Sequence, residues 1–143
     1  MKLRALVADD SRVMRTVVMQ SLRRSGLAEF EFTEAEDGAD AVEKFSPDGF
    51  DIVFLDWNMP NMSGFEAAKE IRSLPKTDHI PIVMVTSERT MGKMEDAFGK
   101  GGANAYICKP FTPEDLDQKL TKVIAGIEEH KKKSGGFFSK FLD

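Results

Sequence analysis

Short apolar runs and amphipathic segments alternate five times along the chain. Four of the runs are predominantly apolar and have the length of buried strands, at residues 3–8, 52–55, 82–85 and 105–108, with Arg4 as the one charged residue among them. A fifth run, at residues 29–34, alternates phenylalanine with glutamate, as expected of a strand that is less buried than its neighbours. Strands that alternate with helices in this way predict an α/β domain with an open parallel sheet.

Capping and helix-ending residues delimit the predicted helices. Ser11 and Gly26 bound the first helix, Ser63 and Glu66 form a capping box before the third, and Thr112 precedes a proline at the start of the fifth. The predicted core-facing residues of the first helix are Val13, Met14, Val17, Val18 and Leu22. The fourth helix is predicted over residues 89–98, and its larger apolar side chains are interpreted as core-facing rather than as a partner groove: Met91, Met94 and Phe98.

Composition narrows the class of protein. A chain of 143 residues favours one compact domain, and a net charge of −4 argues against a nucleic-acid binder that relies on a positive surface. The single cysteine, Cys108, cannot form an internal disulfide, which fits a reducing compartment. No apolar stretch approaches the roughly 20 residues of a membrane span, and the first residues do not match a signal peptide. We therefore expect a cytoplasmic, soluble protein.

Polar residues directly follow the four buried strands. They are Asp9, Asp10, Asp56, Thr86 and Lys109. Because the carboxyl ends of parallel strands lie along one edge of a sheet, these side chains are expected to meet in one cleft. The three carboxylates, with the backbone carbonyl of Asn58, suit Mg²⁺ or Mn²⁺, while the hydroxyl and the ammonium suit a phosphoryl group.

The candidate covalent acceptor in this cleft is the carboxylate of Asp56. Cys108 is expected outside the cleft, and neither His79 nor His130 falls at the end of a strand. Carboxylates form acyl phosphates in other proteins, and Asp56 follows the middle one of the strands that carry the cluster. The sequence therefore predicts phosphoryl chemistry at Asp56.

These residues, in their order and spacing, resemble the signature of bacterial response-regulator receiver domains, in particular of the stand-alone chemotaxis regulators. The matching motifs are Asp9-Asp10, residues 54–60, Val85-Thr86-Ser87 and residues 108–111. The resemblance covers about residues 3–128 and implies a flavodoxin-like (βα)5 doubly wound sandwich with strand order 2-1-3-4-5. It implies a receiver domain over residues 1–129, followed by a separate segment at 130–143.

The resemblance also assigns roles around the cleft. Asp56 would receive a phosphoryl group from a sensor histidine kinase. Asp9 and Asp10 would hold the metal ion together with Asp56 and the carbonyl of Asn58. Lys109 would contact the phosphoryl oxygens and precede a cis peptide bond to the next proline.

Further roles implied by the resemblance concern switching and resetting. Thr86 and Tyr106 would form the switch pair, the hydroxyl moving to the phosphoryl group and the aromatic ring turning inward, so that the face of helix four, strand five and helix five changes shape. Asn58 and Glu88 would tune autodephosphorylation. The implied partners are a kinase, a downstream target such as a motor switch, and a phosphatase, but no nucleic acid. Ser87 departs from the alanine usual after the threonine, which would alter the rate.

Three alternatives remain open beside a chemotaxis or motility regulator. The chain could be an intermediate receiver of a phosphorelay. It could be a phosphohydrolase with an aspartyl nucleophile, which Asn58 disfavours because such enzymes usually carry a second acid at that position. It could be a scaffold that needs no phosphorylation, which the complete cluster disfavours.

The last residues lie outside the family pattern. Lys131–Lys133 leads through Gly135 and Gly136, which predict a flexible linker, to a short aromatic segment. On a helix, its apolar side chains would share one face: Phe137, Phe138, Phe141 and Leu142. We expect a docking peptide that orders on a partner protein; the alternatives are contact with a membrane surface and folding back onto the domain.

Overall fold

The computed structural model describes the backbone of residues 1–142 and the side chains of residues 1–134. Five strands alternate with five helices, as the hydrophobic pattern predicts. The strands are β1 (Lys2–Ala8), β2 (Glu29–Ala35), β3 (Ile52–Leu55), β4 (Ile82–Thr86) and β5 (Ala105–Cys108). The helices are α1 (Arg12–Ser25), α2 (Gly38–Lys44), α3 (Gly64–Ser73), α4 (Met91–Gly99) and α5 (Pro113–Leu142).

The strands form one parallel sheet in the order β2-β1-β3-β4-β5. This confirms the flavodoxin-like fold and its strand order. Apolar side chains of α1 and α5 cover one face of the sheet, and those of α2, α3 and α4 cover the other. Because the chain passes from β1 to β2 at one side and then back to β3, the crossover point lies beside β1 and β3, where this fold class binds ligands.

The predicted caps are present. Ser11 accepts a hydrogen bond from the backbone of α1, and Gly26 ends that helix at φ 71°, a left-handed conformation that glycine adopts without strain. Ser63 and Glu66 form the reciprocal capping box of α3. Local sequence signals therefore set these helix boundaries.

Two predicted apolar faces are wrong in part. In α1 the buried residues are Val18, Met19 and Leu22, whereas Val13 is 71% and Val17 40% exposed, because the face of α1 that packs on the sheet runs through Val18 and Leu22. In α4, Met94 packs against the core, but Met91 is 74% and Phe98 46% exposed. Ala97 is the one fully buried residue of this short helix, Met94 is partly buried, and the other two large apolar side chains lie at the surface.

The segment at Gly135 and Gly136, interpreted from the sequence as a flexible linker, is helical in the structure. The structure continues α5 through Gly135 and Gly136 to Leu142. A helix that already packs on the sheet propagates more easily than an isolated segment nucleates, and the ion pairs Lys132–Glu128 and Lys133–Glu129 support its later turns. The side chains of Phe137, Phe138, Phe141 and Leu142 lie outside the described residues. Within residues 1–142, no helix has the length and apolarity needed to cross a bilayer.

Candidate functional site

Three carboxylates meet at the carboxyl ends of β1 and β3. Each of Asp9, Asp10 and Asp56 offers an oxygen, and these oxygens all lie within 4.8 Å of one another. The two strands are neighbours in the sheet, so residues remote in sequence come together as predicted. Asp9 and Asp56 are buried, whereas Asp10 is exposed to solvent. The cluster is therefore reached by solvent at Asp10.

Backbone hydrogen bonds hold the two buried carboxylates in place. The Asp56 backbone N–H donates to the Ala8 carbonyl at 3.0 Å, which extends the pairing of β1 and β3 to the site. The Asp9 side chain accepts from the Ser11 backbone N–H at 2.9 Å, and Arg15 donates to the Asp9 carbonyl at 2.7 Å. The turn that starts α1 thus orients the first acid.

Lys109 places one positive charge among the acids. Its Nζ lies 2.6 Å from Asp9 Oδ2 and 3.6 Å from Asp56 Oδ2. The Lys109 backbone N–H donates to the Thr86 carbonyl at 2.9 Å, so pairing between β4 and β5 aims the side chain into the cleft. The peptide bond to Pro110 is cis, as expected. Of the two acids, Asp9 makes the shorter contact.

The protonation of Asp56 reflects its surroundings. Burial raises the pKa of Asp56 above its ordinary value, and the nearby charge of Asp9 acts in the same direction, while Thr86 and Lys109 oppose the rise. Three carboxylates against one ammonium leave a formal excess of negative charge. Hard oxygen donors with excess negative charge match the requirements of Mg²⁺, so the residues present fit a divalent cation.

The loop after β3 approaches the backbone of Asp56 closely. A Cβ atom added at Gly64 would lie 1.8 Å from the carbonyl oxygen of Asp56, a distance that no side chain allows. The Gly64 backbone N–H also donates to the Trp57 carbonyl at 2.9 Å. The glycine therefore lets the start of α3 close over the backbone that carries Asp56.

Thr86 and Tyr106 are linked through Glu88. The Thr86 hydroxyl accepts from the Glu88 backbone N–H at 3.3 Å, and the Tyr106 hydroxyl donates to the Glu88 carbonyl at 2.9 Å. The ring of Tyr106 is turned inward and is 3% exposed. Burial, followed by the charges of Cys108, Glu88 and Asp56, raises the pKa of Tyr106 to about 12, so its hydroxyl stays a donor at neutral pH.

Asn58 and Glu88 meet across the mouth of the cleft. Asn58 donates to Glu88 Oε1 at 3.1 Å, and Lys93 on α4 lies 3.3 Å from the same oxygen. These two contacts lower the pKa of Glu88. Lys93 also lies 5.4 Å from the centre of the Trp57 ring. Lys93 was missed from the sequence because a lysine in the first turns of a helix carries no signal of its partner.

Sequence comparisons agree with this geometry. Residues 5–121 match the response regulator receiver domain family. The chain is 39% identical over 123 residues to the chemotaxis protein CheY1 of Helicobacter pylori. This alignment covers 85% of this chain and 97% of that protein. It is 37% identical over 122 residues to the chemotaxis protein CheY-3 of Vibrio cholerae, and this alignment covers 85% of this chain and 92% of that protein.

Solved structures show the same similarity. The chemotaxis protein CheY4 of Vibrio cholerae has a TM-score of 0.73 at 35% identity, over 86% of this chain and 99% of that one. The receiver domain of the Pseudomonas aeruginosa sensor histidine kinase PA1611, which has a magnesium ion coordinated in its active-site cleft, has a TM-score of 0.73 at 28% identity, over 87% and 99%. The chain therefore belongs to the response-regulator receiver domain family, with chemotaxis regulators among its relatives.

Proposed function

We propose that the chain is a single-domain response regulator that accepts a phosphoryl group on Asp56 from a histidine kinase and thereby controls a protein partner in chemotaxis or motility. The observation that carries the proposal is the cluster of three carboxylates within 4.8 Å, with the ammonium of Lys109 between Asp9 and Asp56. Three carboxylates that share one ammonium leave an excess of negative charge, which a divalent cation can neutralise.

The metal site of the proposal consists of Asp9, Asp10, Asp56 and the backbone carbonyl of Asn58. When bound, Mg²⁺ would supply positive charge against the acids and the phosphoryl oxygens. Lys109 would then move its charge from the acids towards the phosphoryl group. In the structure it already lies within 3.6 Å of Asp56.

Phosphoryl transfer at Asp56 exchanges one bond for another. An Asp56 carboxylate oxygen attacks phosphorus, an O–P bond forms, the N–P bond of the kinase phosphohistidine breaks, and the imidazole nitrogen leaves and takes up a proton. Hydrolysis then removes the phosphoryl group: water attacks phosphorus, the O–P bond to Asp56 breaks, and inorganic phosphate leaves. The chain thus performs chemistry on itself only.

The phosphoryl group would be sensed through the Thr86 hydroxyl. That hydroxyl accepts a bond from the Glu88 backbone N–H in the structure, and its movement to a phosphoryl oxygen would break this bond and shift the backbone of Glu88, whose carbonyl accepts from Tyr106. Met91 and Phe98 are exposed on α4. The face of α4, β5 and α5 therefore carries apolar side chains that a partner protein can cover.

Trp57 makes this proposal testable. It is the single tryptophan of the chain, follows Asp56 directly, and stacks on Phe65 at 5.0 Å. We expect its fluorescence to change when acetyl phosphate or beryllofluoride is added with Mg²⁺, and not when EDTA is present or when Asp56 is replaced by asparagine. An unresponsive wild-type protein would favour a scaffold, and sustained turnover of unrelated phosphoesters would favour a hydrolase.

We further propose that the segment after residue 130 serves as a docking helix for a partner protein. Lys131 joins the body of the domain, since its Nζ lies 3.4 Å from Asp51 Oδ1, and the helix continues beyond that contact. Deleting residues 134–143 is expected to weaken partner binding at least tenfold while leaving the Trp57 response unchanged. Unchanged partner affinity and cellular position in the deletion variant would reject this role.

A further inference from the structure

The side chain of Glu88 connects three elements at the entrance to the cleft. It follows β4, and one of its oxygens, Oε1, accepts a hydrogen bond from Asn58 in the loop after β3 and forms an ion pair with Lys93 in α4. Because β3 and β4 are neighbouring strands, the Asn58–Glu88 contact spans the gap between their carboxyl ends. This contact, which we call the bridge, lies beside Asp56 on the side open to solvent, where Asn58 is exposed.

Lys93 is the cation that stabilises the bridge. Its ammonium lies 3.3 Å from Glu88 Oε1 and 5.4 Å from the centre of the Trp57 ring, so it touches both loops that border the site. Trp57 is fixed by parallel stacking on Phe65, with 5° between the rings. The aromatic platform limits the positions open to the ammonium, which therefore holds the Glu88 carboxylate towards Asn58.

We infer that Lys93 is a positioning residue that keeps the bridge closed, which means that Asn58 stays hydrogen-bonded to Glu88, and that it thereby slows hydrolysis of the phosphorylated state. The inference rests on the proposed phosphorylation of Asp56. In the hydrolysis step, a water oxygen bonds to phosphorus, the O–P bond to Asp56 breaks, and the water proton leaves with phosphate or solvent. Asn58 and Glu88 border a solvent-exposed side of the cleft, by which that water can reach the phosphoryl group.

A closed bridge opposes this entry in two ways. The Asn58 amide and the Glu88 carboxylate are bonded to each other, so they do not hold a water molecule in line with the phosphoryl group. The bridge also occupies the solvent side of the cleft. Without Lys93, a single hydrogen bond from an exposed asparagine retains Glu88, and water competes well with such a bond.

The size of the effect follows from exposure. The side chain of Lys93 is 41% exposed and that of Glu88 is 23% exposed, so the ion pair is partly screened. Loss of a pair of this kind changes a local equilibrium by about two- to fivefold. We expect the decay of phosphorylated protein to accelerate by that factor in Lys93→Ala.

The experiment compares Lys93→Ala, Lys93→Arg and a matched control, Lys69→Ala. Lys69 is also exposed and lies 5.4 Å from an aromatic ring, that of Phe65, so its removal deletes one charge and one cation–π contact on the same aromatic stack. Each protein is phosphorylated with acetyl phosphate and Mg²⁺ and freed of donor, and decay is followed by Trp57 fluorescence and by released phosphate. Faster decay in Lys93→Ala, with wild-type decay in Lys93→Arg and Lys69→Ala, supports the inference.

A double-variant test shows whether Lys93 acts through Glu88. In a Glu88→Ala background, Lys93→Ala is expected to leave the decay rate unchanged. An equal acceleration in both backgrounds would overturn the inference, as would Lys93→Ala decaying like wild type. If wild-type protein never becomes phosphorylated, the proposed function fails and the inference with it. If the wild-type protein is phosphorylated but Lys93→Ala does not change the decay rate, the inference about Lys93 is rejected while the proposed function stands.

Discussion

Two aspartates flank β3 and differ in how completely their charge is satisfied. Before the strand, Asp51 accepts side-chain bonds from Arg4 at 3.2 Å on each oxygen, accepts the Arg4 backbone N–H at 2.8 Å, and lies 3.4 Å from Lys131. After the strand, Asp56 shares one ammonium with Asp9, at 3.6 Å. The strand thus has a neutralised carboxylate at one end and an incompletely neutralised one at the other.

The pKa values of the two acids shift in opposite directions. Burial raises the pKa of Asp56, and its partners do not offset this. Burial also acts to raise the pKa of Asp51, but the hydrogen bonds from Arg4 and the charge of Lys131 outweigh it, and the pKa is lowered. Asp51, which ties the amino end of β3 to Arg4, is satisfied within the protein, whereas Asp56, the proposed phosphoryl acceptor, is not.

Replacing each acid by asparagine should separate the two roles most strongly. Asp56→Asn is expected to abolish the Trp57 response to acetyl phosphate and to raise the free energy of unfolding at neutral pH by about 1 kcal/mol, because it removes a buried charge. Asp51→Asn is expected to keep the response and to lower that free energy by about 1–2 kcal/mol. Urea unfolding measures the free energy of unfolding, and Trp57 fluorescence measures the response to acetyl phosphate. Equal stability changes of the same sign would contradict the comparison.

The second-largest difference is expected from close packing at the carboxyl and amino ends of the sheet. Gly64→Ala forces a Cβ against the Asp56 carbonyl and is expected to lower the free energy of unfolding by about 2–4 kcal/mol. Gly126 lies in α5 near Pro81, at the amino end of the sheet, and apart from its chain neighbours and the backbone of its own helix no atom lies within 4 Å of an added Cβ. Gly126→Ala is therefore expected to raise the free energy of unfolding by about 0.5–1 kcal/mol. A well-folded, equally stable Gly64→Ala would show that the loop after β3 adapts.

The smallest expected effect is a titration at the amino end of the sheet. His79 stacks on His130 at 4.3 Å, a pairing that the sequence did not reveal. Burial and then the charge of His130 lower the pKa of His79 below 6.5; Arg72 also lowers it, while Asp51 and Asp78 oppose. Because the folded state disfavours the proton, the contribution of His79 to stability is present above pH 6.5 and is lost as the pH falls below that value.

Nuclear magnetic resonance can check this directly, since the chain has two histidines. The ring resonance of His79 is expected to titrate below 6.5, and His130→Gln is expected to raise its pKa. The Trp57 response should be unaffected, because the pair lies at the edge opposite the acids. A His79 pKa that is insensitive to His130→Gln would show that burial alone sets it.

Local patterns were sufficient for much of the fold. Alternating apolar runs predicted all five strands, and Ser11, Ser63 and Thr112 marked helix starts that the structure confirms. They failed where rotation or length of a helix mattered. The exposed Val13 and Met91 and the extended α5 depend on how each helix packs on the sheet, which periodicity alone does not define.

The sequence by itself determined which residue types stand at the ends of the buried strands, and hence that Asp9, Asp10, Asp56, Thr86 and Lys109 would share one edge. This follows because parallel strands align their carboxyl ends whatever the connecting segments contain. Tertiary structure alone decided how charge is distributed there. The shorter contact of Lys109 with Asp9, the capture of Glu88 by Asn58 and Lys93, and the neutralisation of Asp51 depend on distances between separate elements, and electrostatic interaction varies with those distances and with burial.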